Sequence, residues 1–229
     1  MLELCYLDRD LLVCVKPVGA LSEDGPSEGC MPKLLAARLR EAGQKAEIAT
    51  VHRLDRQVGG LMVFSRRKEV TGKLTAMVAE RRMCKEYLAV LRGCPAEREG
   101  ILTDLLFRDA SKNKTYVVRR MRKGVREASL SYRVLAEEAG LTLVRVRLHT
   151  GRTHQIRAQF SSRQLPLLGD IRYGSKDPRC ECALWSFHLA FSHPVTGKPV
   201  DVVRRPPDGY PWNLFPESAL LGGDGGICP

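Results

Sequence analysis

The chain reads as an α+β protein built on a largely antiparallel sheet, and three features of the sequence point there. Short apolar or alternating runs, the mark of strands, outnumber the stretches with helical spacing. The segments between them are too short for repeated strand–helix–strand crossovers, which argues against a doubly wound parallel sheet. No linker or compositional break interrupts residues 1–215, so one domain is expected there, followed by a Gly-rich, frayed tail over 216–229.

Each element has its own signal. "LCYLDRDLLVCVKPVGALSE" carries two short apolar strands around an Asp8-Arg9-Asp10 turn, closed by Lys16-Pro17 and Gly19. "MPKLLAARLREAG" has helical spacing that puts Leu34, Leu35, Leu39 and Ala42 on one face, with Gly43 as a stop. "GLMVFSR" is a short buried strand. "KEVTGKLTAMVAERRM" is an amphipathic helix with Val70, Leu74, Met77 and Val78 on one side, and Arg81 and Arg82 at the end where the helix dipole favours cations. "CKEYLAVLRG" alternates as a strand does. The stretch from Asn113 to Gly151 predicts three strands punctuated by Gly124 and Gly140; in the last, Thr142, Val144, Val146 and Leu148 face away from Arg145 and Arg147. "RTHQIRAQFSS" is helical, "LPLLGDIRYG" is turn-rich, and "LWSFHLAFSHPVTGKPVDVV" is a strand pair around a Pro-Val-Thr-Gly turn. Glu97 to Gly100 and Cys180 to Cys182 read as surface loops.

Composition narrows the partner. Of 229 residues, 44% are hydrophobic and 28% charged, as in ordinary globular proteins. Lys and Arg number 37 against 26 Asp and Glu, a net charge of +11 that favours a polyanion, because cations beside phosphates release condensed counterions. The eight cysteines stand at 5, 14, 30, 84, 94, 180, 182 and 228 with no CxxC pair, so neither a disulfide scaffold nor a zinc site is indicated and reduced thiols are expected. No signal peptide opens the sequence and no apolar run reaches membrane-spanning length, so a cytoplasmic protein is expected.

Chemistry concentrates in three segments. In "VHRLDRQVGG" the single acid, Asp55, stands between Arg53 and Arg56 and just after His52. Flanking guanidinium groups favour the ionised carboxylate, which suits a nucleophile or an electrostatic stabiliser; the alternative is a structural Arg–Asp clamp. Gly59 and Gly60 allow a close approach of another backbone or a ligand. In "LHTGRTHQIRAQF" Gly151 separates strand from helix, Thr150 and Thr153 are placed to bond the first amides, and His154 and Arg157 share a face. A basic helix start after a glycine turn suits an anion. The spacing of His149 and His154 is not that of a metal motif, and no metal is expected. Tyr87, in "KEYLAV", is a strand tyrosine. No phosphate-binding loop, dinucleotide fingerprint or serine-hydrolase elbow is present, and no cofactor is expected.

In order along the chain, "LLVCVKPVGALS", "HRLDRQVGGLMVFSR", "KEYLAVLRG", "LHTGRTHQIRAQF" with "LPLLGDIRYG", and "FHLAFSHPVTG" resemble the motifs of the RluA-type pseudouridine synthases. The resemblance covers nearly the whole chain and implies the pseudouridine synthase fold. The reaction it implies is isomerisation of uridine to pseudouridine in ribosomal or transfer RNA, exchanging the N1–C1′ bond for C5–C1′. By motif position Asp55 is the catalytic aspartate. The resemblance further implies that Tyr87 packs against the target base and helps move a proton, and that Arg157 pairs with Asp55 and holds it in place, with Arg152 the second candidate for that pairing. Arg53 helps displace the flipped nucleotide. His52, Arg53, Arg56, Arg152, His154 and Ile156 complete the expected RNA- and substrate-binding set. Reaching a stacked uridine requires flipping it out, which calls for basic and aromatic groups around a pocket.

Two departures from the family pattern stand out. Gln57, Val58 and Gly59 occupy places where the family usually continues Asp-Thr-Ser. The chain also begins directly at the catalytic region, so recognition is expected to rest on this domain alone, acting as a monomer on a structured stem-loop. A non-catalytic RNA-binding protein on the same fold would keep the charge but need neither Asp55 nor Tyr87. A hydrolase acting on another N-glycosidic bond would release free base.

Overall fold

The structure is a computed structural model that describes residues 2–25 and 28–222; residues 223–229, half of the expected tail, lie outside the described residues. In chain order the elements begin with β1 (Leu4–Leu7), β2 (Leu11–Lys16), α1 (Met31–Glu41), β3 (Ala49–Thr50), β4 (Gly59–Ser65) and α2 (Lys68–Ala79). Then come β5 (Cys84–Arg92), β6 (Glu99–Asp109), β7 (Lys114–Val118), β8 (Val125–Glu138), β9 (Leu141–Leu148) and α3 (Gln155–Ser161). β10 (Leu184–Ser192), β11 (Pro199–Val203) and α4 (Glu217–Leu220) close the chain. Strands outnumber helices, the α+β composition expected.

The chain forms two compact units, one of residues 2–85 with Ser186–Arg204 and one of Glu86–Trp185 with residues 205–222. In the first, strands follow the order β1-β2-β4-β10, with β3 on β4 and β11 on β10. The β1–β2, β2–β4 and β10–β11 ladders are antiparallel. Asp8 makes the β1–β2 turn: its Oδ1 accepts the Asp10 and Leu11 N–H groups at 2.8 and 2.9 Å. α2 lays Val70, Leu74 and Met77 against Leu11, Val13, Leu61 and Val63 of the sheet and Leu189 and Phe191 of β10. α1 buries Met31, Leu35, Ala36 and Leu39, while Leu34 and Ala42, assigned to its inner face from spacing, are exposed. The buried stripe lies one position round from the expected one, because Met31 and Pro32 at the helix start are themselves buried.

In the second unit the order is β5-β9-β8-β6-β7, all antiparallel. β6 has no counterpart in the sequence-based reading, which left residues 94–112 without an element and took Glu97 to Gly100 for a surface loop. Its "ILTDLLFRD" breaks strict alternation with adjacent leucines, and its identity as a strand rests on pairing with both β7 and β8. α3 covers one face of this sheet. Ala158 packs with Leu106 and Ala128, and the Gln159 side-chain amide donates to Leu102 O at 3.1 Å.

Cys84 is disulfide-bonded, which corrects the expectation of reduced thiols throughout; Cys5, Cys14, Cys30, Cys94, Cys180 and Cys182 remain thiols. Sequence spacing carries no sign of that bond, since pairing needs only spatial proximity. Among the described residues no helix is long and apolar enough to cross a membrane.

Candidate active site

In the first unit the site is a backbone turn held from both sides. Val58 N–H donates to Asp55 O at 2.9 Å, closing a turn over residues 55–58. On one side the Ser22 hydroxyl donates to Leu54 O at 2.7 Å and accepts Leu54 N–H at 3.0 Å. On the other, Gly19 N–H donates to Arg56 O at 2.8 Å, and Arg56 Nε donates to Gly19 O at 3.0 Å. Lys16, fully buried, completes the clasp: its ammonium donates to the carbonyls of Pro17, Ala20 and Arg56 at 3.0, 2.8 and 3.3 Å. A buried cation is tolerable only with such partners. The Lys-Pro-Val-Gly loop therefore holds the backbone beside Asp55, while the Asp55 side chain is half-buried.

Neither sequence neighbour acts as the anticipated arginine clamp. Arg53 reaches Glu23 at 2.8 Å, both largely exposed, and Arg56 serves Gly19. Residues 19–23 supply the partners of both guanidinium groups, so closeness in sequence says little about who meets a carboxylate. His52 accepts Val63 N–H through Nε2 at 3.1 Å. Burial, reinforced by the nearby Lys85 charge, pushes its pKa down to about 3, so it is a neutral acceptor belonging to the β4 framework. Gly60 realises the close approach expected of the glycine pair: its φ is +111°, and a Cβ there would lie 2.3 Å from Ser186 O.

In the second unit Tyr87 is buried on β5 opposite Val146 of β9. The loop into α3 is organised by Gln155, which sequence reasoning passed over. Gln155 Oε1 accepts the Thr150 hydroxyl at 2.7 Å and Arg152 N–H at 3.0 Å, and its amide donates to Ser129 O at 3.0 Å. α3 has no side-chain cap, so the threonines do not serve its first amides as anticipated. His154 enters the helix in the left-handed conformation, φ 53°, and its Nδ1 lies 3.1 Å from the Tyr173 hydroxyl. Arg152 is exposed and donates through Nε to Glu127 O at 3.0 Å, whereas Ile156 is buried in the core.

Arg157 is the most constrained cation of the second unit. It is 2% exposed, its Nε and Nη2 grip Asp170 Oδ2 and Oδ1 at 2.6 and 2.8 Å, and its guanidinium lies over the Tyr173 ring at 5.1 Å. Asp170 is fully buried and also accepts the Cys182 thiol at 3.7 Å. Such a bidentate pair fixes the guanidinium plane. The signal for Asp170 was present in "LPLLGDIRYG", but nothing local links it to an arginine thirteen residues earlier.

One group of potential metal ligands within a unit is Asp8, Asp10 and His193. It suits a metal poorly. His193 Nδ1 accepts the Val195 and Thr196 N–H groups, which puts the ring proton on Nε2, 3.0 Å from Asp8 Oδ2, and Arg67 holds Asp10 at 3.0 Å.

The family described as RNA pseudouridylate synthase matches residues 10–162, a span that includes Asp55, Tyr87 and Arg157. An uncharacterized RNA pseudouridine synthase of Aquifex aeolicus is 31% identical over 214 residues, which are 86% of this chain and 67% of that one. Ribosomal large subunit pseudouridine synthase D of Vibrio vulnificus is 31% identical over 224 residues, 90% of this chain and 68% of that one. Human RNA Pseudouridylate Synthase Domain Containing 1 superposes with a TM-score of 0.75 at 25% identity, covering 90% of this chain and 84% of that one. Human RNA Pseudouridylate Synthase Domain Containing 4 shares the fold at the same TM-score, with 20% identity over 90% of this chain and 89% of that one. The chain belongs to the RNA pseudouridylate synthase family, isomerases that act on RNA. Within that family it is of the RluA type.

Proposed function

We propose that this enzyme isomerises a uridine of ribosomal RNA, with Asp55 as the catalytic aspartate acting on a flipped-out nucleotide. The N1–C1′ bond breaks, the uracil stays in the site, C5 bonds to C1′, the proton on C5 leaves to solvent, and N1 takes up a proton. Tyr87 packs against the uracil and assists that proton transfer. Arg157, itself held in one orientation by Asp170, is the residue that holds Asp55 in place in this reading. Arg53 helps displace the nucleotide, and Arg56, Arg152, His52, His154 and Ile156 shape the RNA-binding surroundings. A structured stem-loop, read by a single copy of the chain, is the substrate form that the reading favours.

The observation that carries it is the clasp around Asp55. Ser22 on one side and Lys16 with Gly19 on the other immobilise its backbone, yet its carboxylate is not sealed in the core. A turn locked this firmly around a half-buried acid fits a preorganised reacting group. Ribosomal RNA as substrate is supported by the relatives named for the large ribosomal subunit.

The test is tritium release from total cellular RNA labelled at uridine C5, with wild type beside Asp55→Asn. Release by wild type that is abolished in the variant, with RNA binding retained, is the expected outcome. Release that persists in the variant would remove Asp55 from the chemistry. Free uracil appearing in solution would indicate a hydrolase.

A further inference from the structure

β7 and β8 both run antiparallel to β6, one on each side of it, so residues 119–124 must cross β6 to join them. The crossing occurs at Phe107, which pairs with Tyr116 on one side and Val125 on the other. The Arg122 guanidinium lies 4.9 Å from the centre of the Phe107 ring, and Val125 N–H donates to Arg122 O at 3.0 Å. Side chains alternate along β6. Leu102 and Leu106 face α3, so Phe107 and the loop lie on the opposite face. Register puts Tyr87, Val146 and Tyr132 on the α3 side, where Tyr132 meets Phe160 edge-on at 5.5 Å.

The loop sequence, "RRMRKGVR" from Arg119 to Arg126, contains five cations and no acid. Arg119, Arg120, Arg122 and Lys123 are exposed, and among the described residues Arg119, Arg120 and Lys123 make no ion pair. Some exposed arginines elsewhere do have acidic partners, as with Arg98–Glu137 and Arg133–Glu99. Amid these charges Met121 is 62% exposed, a long apolar side chain presented to solvent. Unpaired guanidinium groups match phosphate oxygens, and an apolar side chain between them can pack on an unstacked base.

We infer that the crossing loop 119–124 is a second RNA contact: Arg119, Arg120 and Lys123 take backbone phosphates, and Met121 packs on a base. The RNA it takes flanks the target nucleotide, because within this unit the loop lies on the sheet face opposite Tyr87. The inference rests on the chain being an RNA-modifying enzyme, and its test reads binding without turnover. Deproteinised large-subunit ribosomal RNA is bound to full-length protein at a series of salt concentrations, comparing wild type, Arg119→Ala/Arg120→Ala/Lys123→Ala and Met121→Ala. A charge-matched control, Arg40→Ala/Lys73→Ala/Lys198→Ala, removes three exposed cations elsewhere.

The loop triple variant is expected to lower the slope of log affinity against log salt by about 2–3, close to one for each phosphate it no longer neutralises. The control is expected to keep the wild-type slope. Met121→Ala is expected to weaken binding several-fold with its slope unchanged. A wild-type slope in the loop variant, as would follow if the loop served an acidic protein partner, overturns the inference; so does an equal loss in the control. Persistence of tritium release in Asp55→Asn would sink the catalytic reading while leaving this result intact.

Discussion

Asp170 and His52 show how much of this protein depends on single buried groups. Asp170→Asn leaves the Arg157 cation in the interior without its counter-charge, and breaking one partner of such a pair costs about 3–5 kcal/mol. The expected result is a lower urea midpoint together with a loss of tritium release larger than the loss of RNA affinity. Unchanged turnover in the folded variant would mean that Arg157 needs no positioning. His52 makes a pH prediction with a defined sign. Its pKa lies near 3 in the folded chain against 6.5 for the free group, so below 6.5 the unfolded state takes up a proton that the folded state refuses. The contribution to stability is complete above pH 6.5 and is lost progressively as pH falls toward 3. His52→Gln keeps an acceptor for Val63 N–H but has no proton to gain. Its urea midpoint should therefore fall less than that of wild type between pH 7 and pH 4.5; parallel curves would contradict this.

At the scale of elements, close backbone contacts and side-chain ties fix how strands and turns sit against one another. The second residue of β4, Gly60, is a glycine because the chain there runs at φ +111° against the backbone of Ser186 in β10. Gly60→Ala should destabilise the protein by more than the roughly 1–3 kcal/mol of backbone strain alone, since its Cβ would also overlap Ser186 O. Thermal denaturation measures this, and a wild-type midpoint would show that β10 can move aside. β7 is tied to the start of α3 by the Thr115 hydroxyl, which donates to Thr153 O at 2.8 Å, and by the Tyr173 hydroxyl, which accepts Thr115 N–H at 2.9 Å. Tyr173 also stacks beneath Arg157, so one side chain links sheet edge, helix start and arginine.

At the scale of the whole chain, the net charge of +11 suits an RNA enzyme, and the C-terminal segment is part of the second unit. Trp212, Phe215, Ala219 and Leu220 are buried, and Arg145 donates to Gly222 O at 3.1 Å. Truncation after Arg204 removes three large apolar side chains, each worth about 1.5–3 kcal/mol when buried. Together they approach the net stability of a typical domain, about 5–15 kcal/mol. The truncated chain is expected to lose cooperative unfolding of the second unit, read by hydrogen exchange at β8 and β9. Wild-type protection there would show that the segment merely covers the surface.

Most strands and both longer helices could be read from the sequence, because periodicity and turn residues act over a few neighbours. The Asp-Arg-Asp turn, the alternation of β9, the apolar side of α2 and the glycine contact of β4 all belong to that local class. So does the order of motifs that identifies the family. β6 escaped, since its strand character comes from partners on both sides and not from its own alternation. The same limit applied to charge. Sequence put Asp55 between two arginines, but Arg53 went to Glu23 and Arg56 to Gly19, while Lys16 gathered carbonyls from as far as Arg56. Asp170 met Arg157 only after the chain had turned back past α3. By itself the sequence determined the fold class, the family and the residues available for chemistry. Tertiary structure alone decided which of them meet, because a salt bridge depends on separation in space, and chain return brings together groups that no local period connects.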